Sequence, residues 1–451
     1  MRPKELSVTI LVLATLFLGG SESVAGSLGS ASELPVITPG PSVTLADVLK
    51  AADQRNLTLA ATRLEIDKSR AQLELSWAML FPAVGAQGTY THNDHSDDVT
   101  LPIGSIVVRR QDELRAGVVA TVPLVSPQAW VGVSAARLGV EVAELTVENA
   151  RQQLLFTAAQ AFWAAHISRE LVGIQESQLK ATQHHLDVAR ARVAAGDAMR
   201  IDAIRAETEV EKARQDLLAA HLGLDNARDA LATLMASREL PLPVAPPDLA
   251  TPTPPTGDEV GRVLGARPDV KAARAAVRLA ARMVDVSWMQ FLPTLGLAGQ
   301  YSYLFSEPPD MGSSDRSRWA AVLTLTVPIY NQLRYADLDA KRAAREQAAL
   351  REAELLSNGE LEVRKAHRDY LSALSSQDTA DRQASLAREA LALTESAYEN
   401  GASTSLDVTD AQRTSRTAEI NAAAGRLRSQ MALLSLMRVM GNSAESLVAP
   451  P

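Results

Sequence analysis

The sequence predicts a mainly α-helical fold with a membrane β part, built from two copies of a helix–strand–strand–helix unit. Three observations carry this prediction. One turn occurs twice: Val193–Asp202 and Tyr398–Asp407 each contain a central glycine, Gly196 and Gly401, and the two copies lie 205 residues apart. The segments on either side of each turn keep helical spacing with no proline. Four short runs alternate apolar with small or polar residues and adjoin Pro82, Pro123, Pro293 and Pro328. That period of two is the pattern of a strand with two unlike faces, as in transmembrane sheets.

Composition fits the same class. The 451 residues are 46% hydrophobic but only 4% aromatic, and charged sequence poor in aromatics suits long packed helices. A net charge of −8 lacks the basic footprint of a nucleic-acid binder, so no nucleic acid is expected. With no cysteine, disulfides, thiolate metal sites and cysteine nucleophiles are excluded. There is no P-loop, dinucleotide fingerprint, nucleophile elbow or His-Glu-x-x-His motif, so neither an enzyme nor a cofactor is predicted.

In chain order, Arg2 and Lys4, an apolar run from Val8 to Leu18, and Ser23-Val24-Ala25 read as a signal peptide over 1–25. A buried or anchoring helix is the alternative. No cysteine follows to carry a lipid, and no later stretch has the roughly 18 apolar residues of a spanning helix. Any membrane attachment must therefore come from strands. Residues 26–43 read as extended. The first repeat, 44–240, opens with a helix capped by Thr44 and Asp47; it runs to about Leu80 and stops at Phe81-Pro82. Strands are predicted at about 84–91 and 114–122. Val84, Ala86, Gly88 and Tyr90 share one face of the first; Leu114, Ala116, Val118 and Ala120 oppose Arg115, Gly117, Val119 and Thr121 in the second, which ends at Pro123. Between them His92–Asp98 has metal-ligand residue types but reads as a solvated polar loop, with no metal site expected. Stride-seven pairs such as Leu138/Leu145 and Phe156/Trp163 then predict one helix to Ala195, about 100 Å long. Its hairpin tip falls at about 193–202, and a return helix covers Met199 to Ala236.

Seven prolines between Pro241 and Gly257 make 241–258 a non-helical linker. The second repeat, 259–441, matches the first. Trp288–Pro293 repeats Trp77–Pro82 at an offset of 211. Strands follow at about 294–303 and 319–327, a long helix from about Arg334 to Asn400, a tip at about 398–407, and a return helix from Ser405 to Met440. The offset changes from 211 to 205 between the paired strands, so the helical hairpins keep one register. Residues 442–451 read as an irregular tail.

From about Pro41 to Gly441 the chain resembles the TolC-like outer-membrane efflux protein family. The resemblance rests on the duplicated halves, the four junction prolines and the spacing Tyr398-Glu-Asn-Gly401 … Asp407-Val-Thr-Asp410. It implies a homotrimer whose strands close a 12-stranded β-barrel in outer-membrane lipid, continuous with a long periplasmic α-helical barrel. The linker and termini would form an equatorial collar. It also implies a passive exit duct of a tripartite efflux or type I secretion system. Such a duct docks to a periplasmic adaptor protein and an inner-membrane transporter of RND or ABC type. A secreted structural coiled-coil protein is the alternative; it predicts no strands and solubility without detergent.

Gly196 and Gly401 suit left-handed helix ends, and with Tyr398 they are the adaptor-docking tips that the resemblance implies. Asp407 and Asp410 share one helix face, and in a trimer the resemblance makes them the pore aperture, two stacked carboxylate rings. The family's locking arginine corresponds here to Ser403, so Arg200, Arg205 and Asp202 of the first tip are the expected lock. The competing readings are a solvated pair contributing about 0–1 kcal/mol and a first-turn carboxylate favoured by the helix dipole. Trp77, Trp130, Trp288 and Tyr335 flank the strands on the helical side, while Tyr90, Tyr301, Tyr303 and Trp319 lie toward the far ends. These are the expected aromatic girdles, with helix packing as the alternative for the first four. His184 and His185, inside a long helix, read as structural.

Overall fold

The computed structural model describes residues 39–102, 104–244, 257–306 and 315–448. The signal segment 1–25, residues 26–38, most of the proline-rich linker and the loop containing Pro308 and Pro309 lie outside the described residues.

At the waist of the molecule β1 (Pro39–Val43) pairs in parallel with β6 (Leu240–Pro243). Thr44 caps α1 (Leu45–Arg55): its N–H and hydroxyl donate to Asp47 Oδ2 at 3.0 and 2.7 Å. The single helix expected up to Leu80 is two helices, α1 and α2 (Leu57–Ala78). Asn56 causes the break. It is extended at ψ 121°, its side-chain oxygen accepts from the Leu59 N–H, and its amide donates to the Leu234 carbonyl at 3.0 Å. The second repeat breaks at the corresponding Arg267, between α5 (Gly257–Ala266) and α6 (Pro268–Met289). Pro268 there occupies the first helical position, where its missing N–H costs nothing.

Beyond α2 and α6 the chain enters a four-stranded antiparallel sheet. Its strands are β2 (Ala83–His92), β5 (Asp112–Val125), β7 (Thr294–Leu304) and β8 (Ser317–Thr326), in the order β2-β5-β7-β8. The expected end of β5 at Pro123 is not where it stops. The strand continues to Val125 past a register shift between Pro123 and Val125, an irregularity at which proline is tolerated. The loop expected after β2 contains a second hairpin, β3 (Asp97–Leu101) with β4 (Gly104–Arg109).

The helical half consists of α3 (Pro127–Ala195, 69 residues), α4 (Arg200–Met235), α7 (Gln332–Glu399, 68 residues) and α8 (Ser405–Val439). Each long helix is about 100 Å. Toward the tips the packing order is α4, α3, α8, α7; toward the sheet it is α2, α3, α6, α7. The subunit therefore has two open margins, α2 with α4 on one side and α7 on the other. None of the described helices is long and apolar enough to cross a membrane.

The main core lies at the waist, where both repeats meet. Phe162, Leu231, Leu264, Leu434 and Leu436 are almost fully buried there. The tail is part of this core, contrary to the irregular structure expected. Ala444–Leu447 form a 3-10 helix with Ala444 and Leu447 buried, and Glu445 meets Arg151 at 2.5 Å. Arg151 also holds Asp53 at 2.7 Å. Toward the tips the buried face of α8 carries Ser405, Thr409, Gln412 and Ser415 around Val408 in place of leucines.

Candidate functional site

Two regions hold the predicted functional residues: the hairpin tips and the sheet. Both tips are built alike. Gly196 and Gly401 adopt φ +86° and +76°. The N–H groups of Asp197 and Ala402 reach back to the Arg192 and Ala397 carbonyls at 2.9 and 2.8 Å, closing each helix with a left-handed cap. The next helices start on carboxylates: the Met199 N–H donates to Asp202 Oδ2 at 3.3 Å, and the Thr404 N–H and hydroxyl donate to Asp407 Oδ2 at 2.9 and 2.6 Å. Ser403 also donates to Asp407. These hydrogen bonds, the Thr404 hydroxyl first, hold the Asp407 carboxyl below the usual carboxylate range.

Asp407 and Asp410 are both exposed on one face of α8. Asp410 lies 3.9 Å from Arg413, whose guanidinium also pairs with Glu209 of α4. Arg200 and Arg205 are exposed and form no ion pair with either aspartate inside the subunit. Any lock they make must therefore be with a neighbouring copy.

Tyr398 is not presented outward. Its ring is buried, stacked by Arg192 at 4.5 Å and packed on His185 at 5.2 Å. His185 Nε2 in turn lies 3.1 Å from the Ser405 hydroxyl. Burial, with the neighbouring His184, pushes the His185 imidazole below its ordinary value. So His185, Arg192, Tyr398 and Ser405 join the two hairpins just above the tips. Arg416 and Arg426 of α8 add ties to Asp216 and Glu170, both at 2.6 Å. Sequence spacing did not reveal this cluster, because its members come from both repeats.

In the sheet, the pairings Ala86↔Val118, Val118↔Tyr301 and Tyr301↔Trp319 put the odd-numbered apolar residues of β7 and β8 on the same face as the even-numbered ones of β2 and β5. That face carries Val84, Tyr90, Leu114, Val118, Leu297, Tyr301, Tyr303, Trp319, Leu323 and Leu325, and no charge between Val84 and Tyr90, Leu114 and Val122, Leu295 and Tyr303, or Trp319 and Leu325. The other face carries Gln87, Thr89, Thr121, Gln300, Ser302, Thr324 and Thr326. Tyr90, Tyr301, Tyr303 and Trp319 lie toward the loop ends of the apolar face. At the helical end Trp77 meets Trp130 edge-on at 6.2 Å, and Phe291 lies 5.6 Å from Trp288 and 5.1 Å from Tyr335. Arg137 and Arg342 cover Trp77 and Trp288 at 5.5 and 5.8 Å, so the cation–π contact is duplicated with the repeat.

The His92–Asp98 loop is held by its own charges. His92 contacts Asp112 at 2.7 Å, and His95 contacts Asp94 and Asp97 at 2.9 and 3.3 Å. Among the described residues no group of three or more His, Cys, Asp or Glu side chains is placed so that it could hold a metal ion.

Comparison with known proteins bears on these regions together. The family model described as outer membrane efflux protein matches residues 48–237 and 260–442. The outer membrane protein OprJ of Pseudomonas aeruginosa is 25% identical over 86% of this chain and 81% of its own length. The cobalt-zinc-cadmium resistance protein CzcC of Cupriavidus metallidurans is 23% identical over 96% of this chain and 98% of its own. The crystal structure of the Campylobacter jejuni CmeC outer membrane channel has the same fold, with a TM-score of 0.74 at 15% identity, over 92% of this chain and 90% of that one.

Proposed function

Since the chain belongs to the outer membrane efflux protein family and is an outer-membrane efflux component, we propose that three copies close into a passive exit duct. One observation carries this reading: sheet and bundle alike end in open margins that a further copy completes. β2 and β8 each have one hydrogen-bonded neighbour in the sheet. An open edge in lipid leaves backbone groups unsatisfied, so a spanning sheet must close. β2 leads away from the helices and β8 returns, so β8 of one copy beside β2 of the next is antiparallel. Three such joints make twelve strands, with the Tyr301–Trp319 face to lipid and the Gln300–Thr324 face to the lumen.

The helices have matching margins. Leu350, Leu361, Leu386 and Leu393 of α7 are exposed and fall within one sector of ~40° at ~100° per residue. Leu57, Leu64 and Leu75 of α2, with Leu218 and Leu222 of α4, are exposed on the opposite margin. A water-filled tunnel gives leucine stripes no reason to exist; a neighbouring subunit does. The contact is head-to-tail, and such a contact makes a ring when its rotation closes, as the need to leave no strand edge in lipid requires here.

In this ring Asp407 and Asp410 stand around the periplasmic mouth, each three times, as the aperture. Arg200 or Arg205 of the adjacent tip pairs with them across the subunit joint. The mouth is the part suited to move: the large apolar core lies at the waist, while near the tips the buried apolar residues form only a small cluster of Leu186, Ala189, Ala206 and Val210. The exposed turns at Gly196 and Gly401 dock a periplasmic adaptor. An inner-membrane transporter supplies energy, and no catalytic role falls to this chain. Trp77, Trp130, Trp288 and Tyr335 form the inner aromatic girdle and Tyr90, Tyr301, Tyr303 and Trp319 the outer one. Fractionation tests the reading. The mature protein should remain with outer membrane through carbonate and salt washes and need detergent for release. Recovery as a soluble periplasmic protein would favour the structural coiled-coil alternative.

A further inference from the structure

The lumenal face of the sheet is uncharged along most of its length and then changes at the end far from the helices. Arg115 of β5 pairs with Leu304 of β7, and the Leu304 N–H donates to the Arg316 carbonyl at 2.8 Å. One step toward the helices, Ser302 pairs with Gly117 on one side and Arg318 on the other. Cross-strand partners point to one face of a sheet, so Arg115, Arg316 and Arg318 share the face of Gln300 and Ser302. The two rows are about 7 Å apart along the strands. All three side chains are exposed.

Their counter-charge is small. Arg115 has Glu113 at 3.6 Å, on the same face. Arg316 and Arg318 form no ion pair with any described residue. On the opposite face, at the same depth, are Tyr301, Tyr303 and Trp319. The arginines therefore lie at the level of the outer aromatic residues but on the side away from lipid. A contact with lipid phosphate would require them on the Trp319 face, so an anion inside the duct is the ligand this placement suits. Arginine forks bind carboxylate, phosphate and sulfate oxygens in pairs, and rings of arginine are the standard means of favouring anions in pores.

We propose that Arg115, Arg316 and Arg318 of each subunit form an anion-binding ring at the outward end of the lumen. The ring draws anionic cargo through the exit, opposite in sign to the carboxylates at the periplasmic mouth. This rests on the closed-duct reading, since only a closed barrel gathers the nine arginines around one lumen.

Planar-bilayer recording tests it, with inorganic pyrophosphate as the probe. Added on the barrel side, pyrophosphate should reduce wild-type current at a concentration at least tenfold below that needed in the Arg115→Gln/Arg316→Gln/Arg318→Gln variant. The variant's reversal potential in a KCl gradient should also move toward cation selectivity. Glu113→Gln, which removes only the counter-charge, should shift pyrophosphate block several-fold the other way, so the ring is tested even where the triple variant assembles poorly. Block unchanged in both variants overturns the ring while leaving the duct intact. No conductance from the folded, bilayer-inserted wild-type protein overturns the duct and the ring with it.

Discussion

Replacing Leu386 and Leu393 by aspartate should abolish the ring without unfolding the subunit. The two side chains are 66% and 67% exposed in the single chain and lie on the outer margin of α7, away from the waist core. Fully burying a leucine contributes about 1.5–3 kcal/mol, so covering two thirds of one contributes roughly 1–2 kcal/mol. Two leucines at each of three joints then amount to about 6–12 kcal/mol per trimer, before the added cost of desolvating aspartates. Detergent-extracted protein examined by native mass spectrometry should pass from trimer to monomer, with helical circular dichroism retained. Ser177→Asp, exposed on α3, which has a helix packed on either side, is the control and should leave the trimer intact. A double variant that remains trimeric at the same dilution would refute the assignment of this margin as the subunit joint.

Gly401→Trp forces a β-carbon onto φ +76°, which costs about 1–2 kcal/mol, and adds bulk to the tip; export should be lost while the trimer persists, and normal export by a well-expressed variant would contradict the docking assignment. Asp407→Asn with Asp410→Asn removes charge while keeping an acceptor for Thr404, and should weaken cation selectivity and multivalent-cation block from the periplasmic side of a planar bilayer. Arg200→Gln with Arg205→Gln should raise resting conductance in the same recording, and no change would leave the two arginines without a locking role. The Asp53 carboxyl is held below its ordinary value, chiefly by the hydrogen bond from Arg151. The stability it contributes is therefore present above the unfolded aspartate value near ~3.9 and is lost as pH falls through the lower folded value. Thermal unfolding of Arg151→Met should show a correspondingly weaker loss of stability between pH 5 and pH 2 (roughly the window of a lowered aspartate) than the wild type.

What could be read from sequence was what local chemistry decides. The Gly196 and Gly401 turns and the Thr44–Asp47 cap depend on a few adjacent residues. The two faces of each strand follow from a period of two. The break at Asn56 could not be read, because its amide is satisfied by Leu234, 178 residues away. The inward turn of Tyr398 depends on Arg192 and His185 of the other repeat. Leu447 reads as part of a loose end until the waist core that receives it is assembled. Arg318 was missed for a narrower reason: β8 starts at Ser317, two residues earlier than the alternation suggested, and only the cross-strand register puts it beside Ser302.

The central claim is that this sheet is one third of a closed barrel, and the chain's lack of cysteine allows a direct test. Single cysteines placed in turn along the lumenal positions of β2, from Gly85 to Thr91, are combined with single cysteines along those of β8, from Arg318 to Thr326, and oxidised in intact outer membranes. The account predicts that at least one register yields a covalent trimer on a denaturing gel, reduced to monomer by thiol. No trimer at any register, in protein shown to be membrane-inserted, would contradict it.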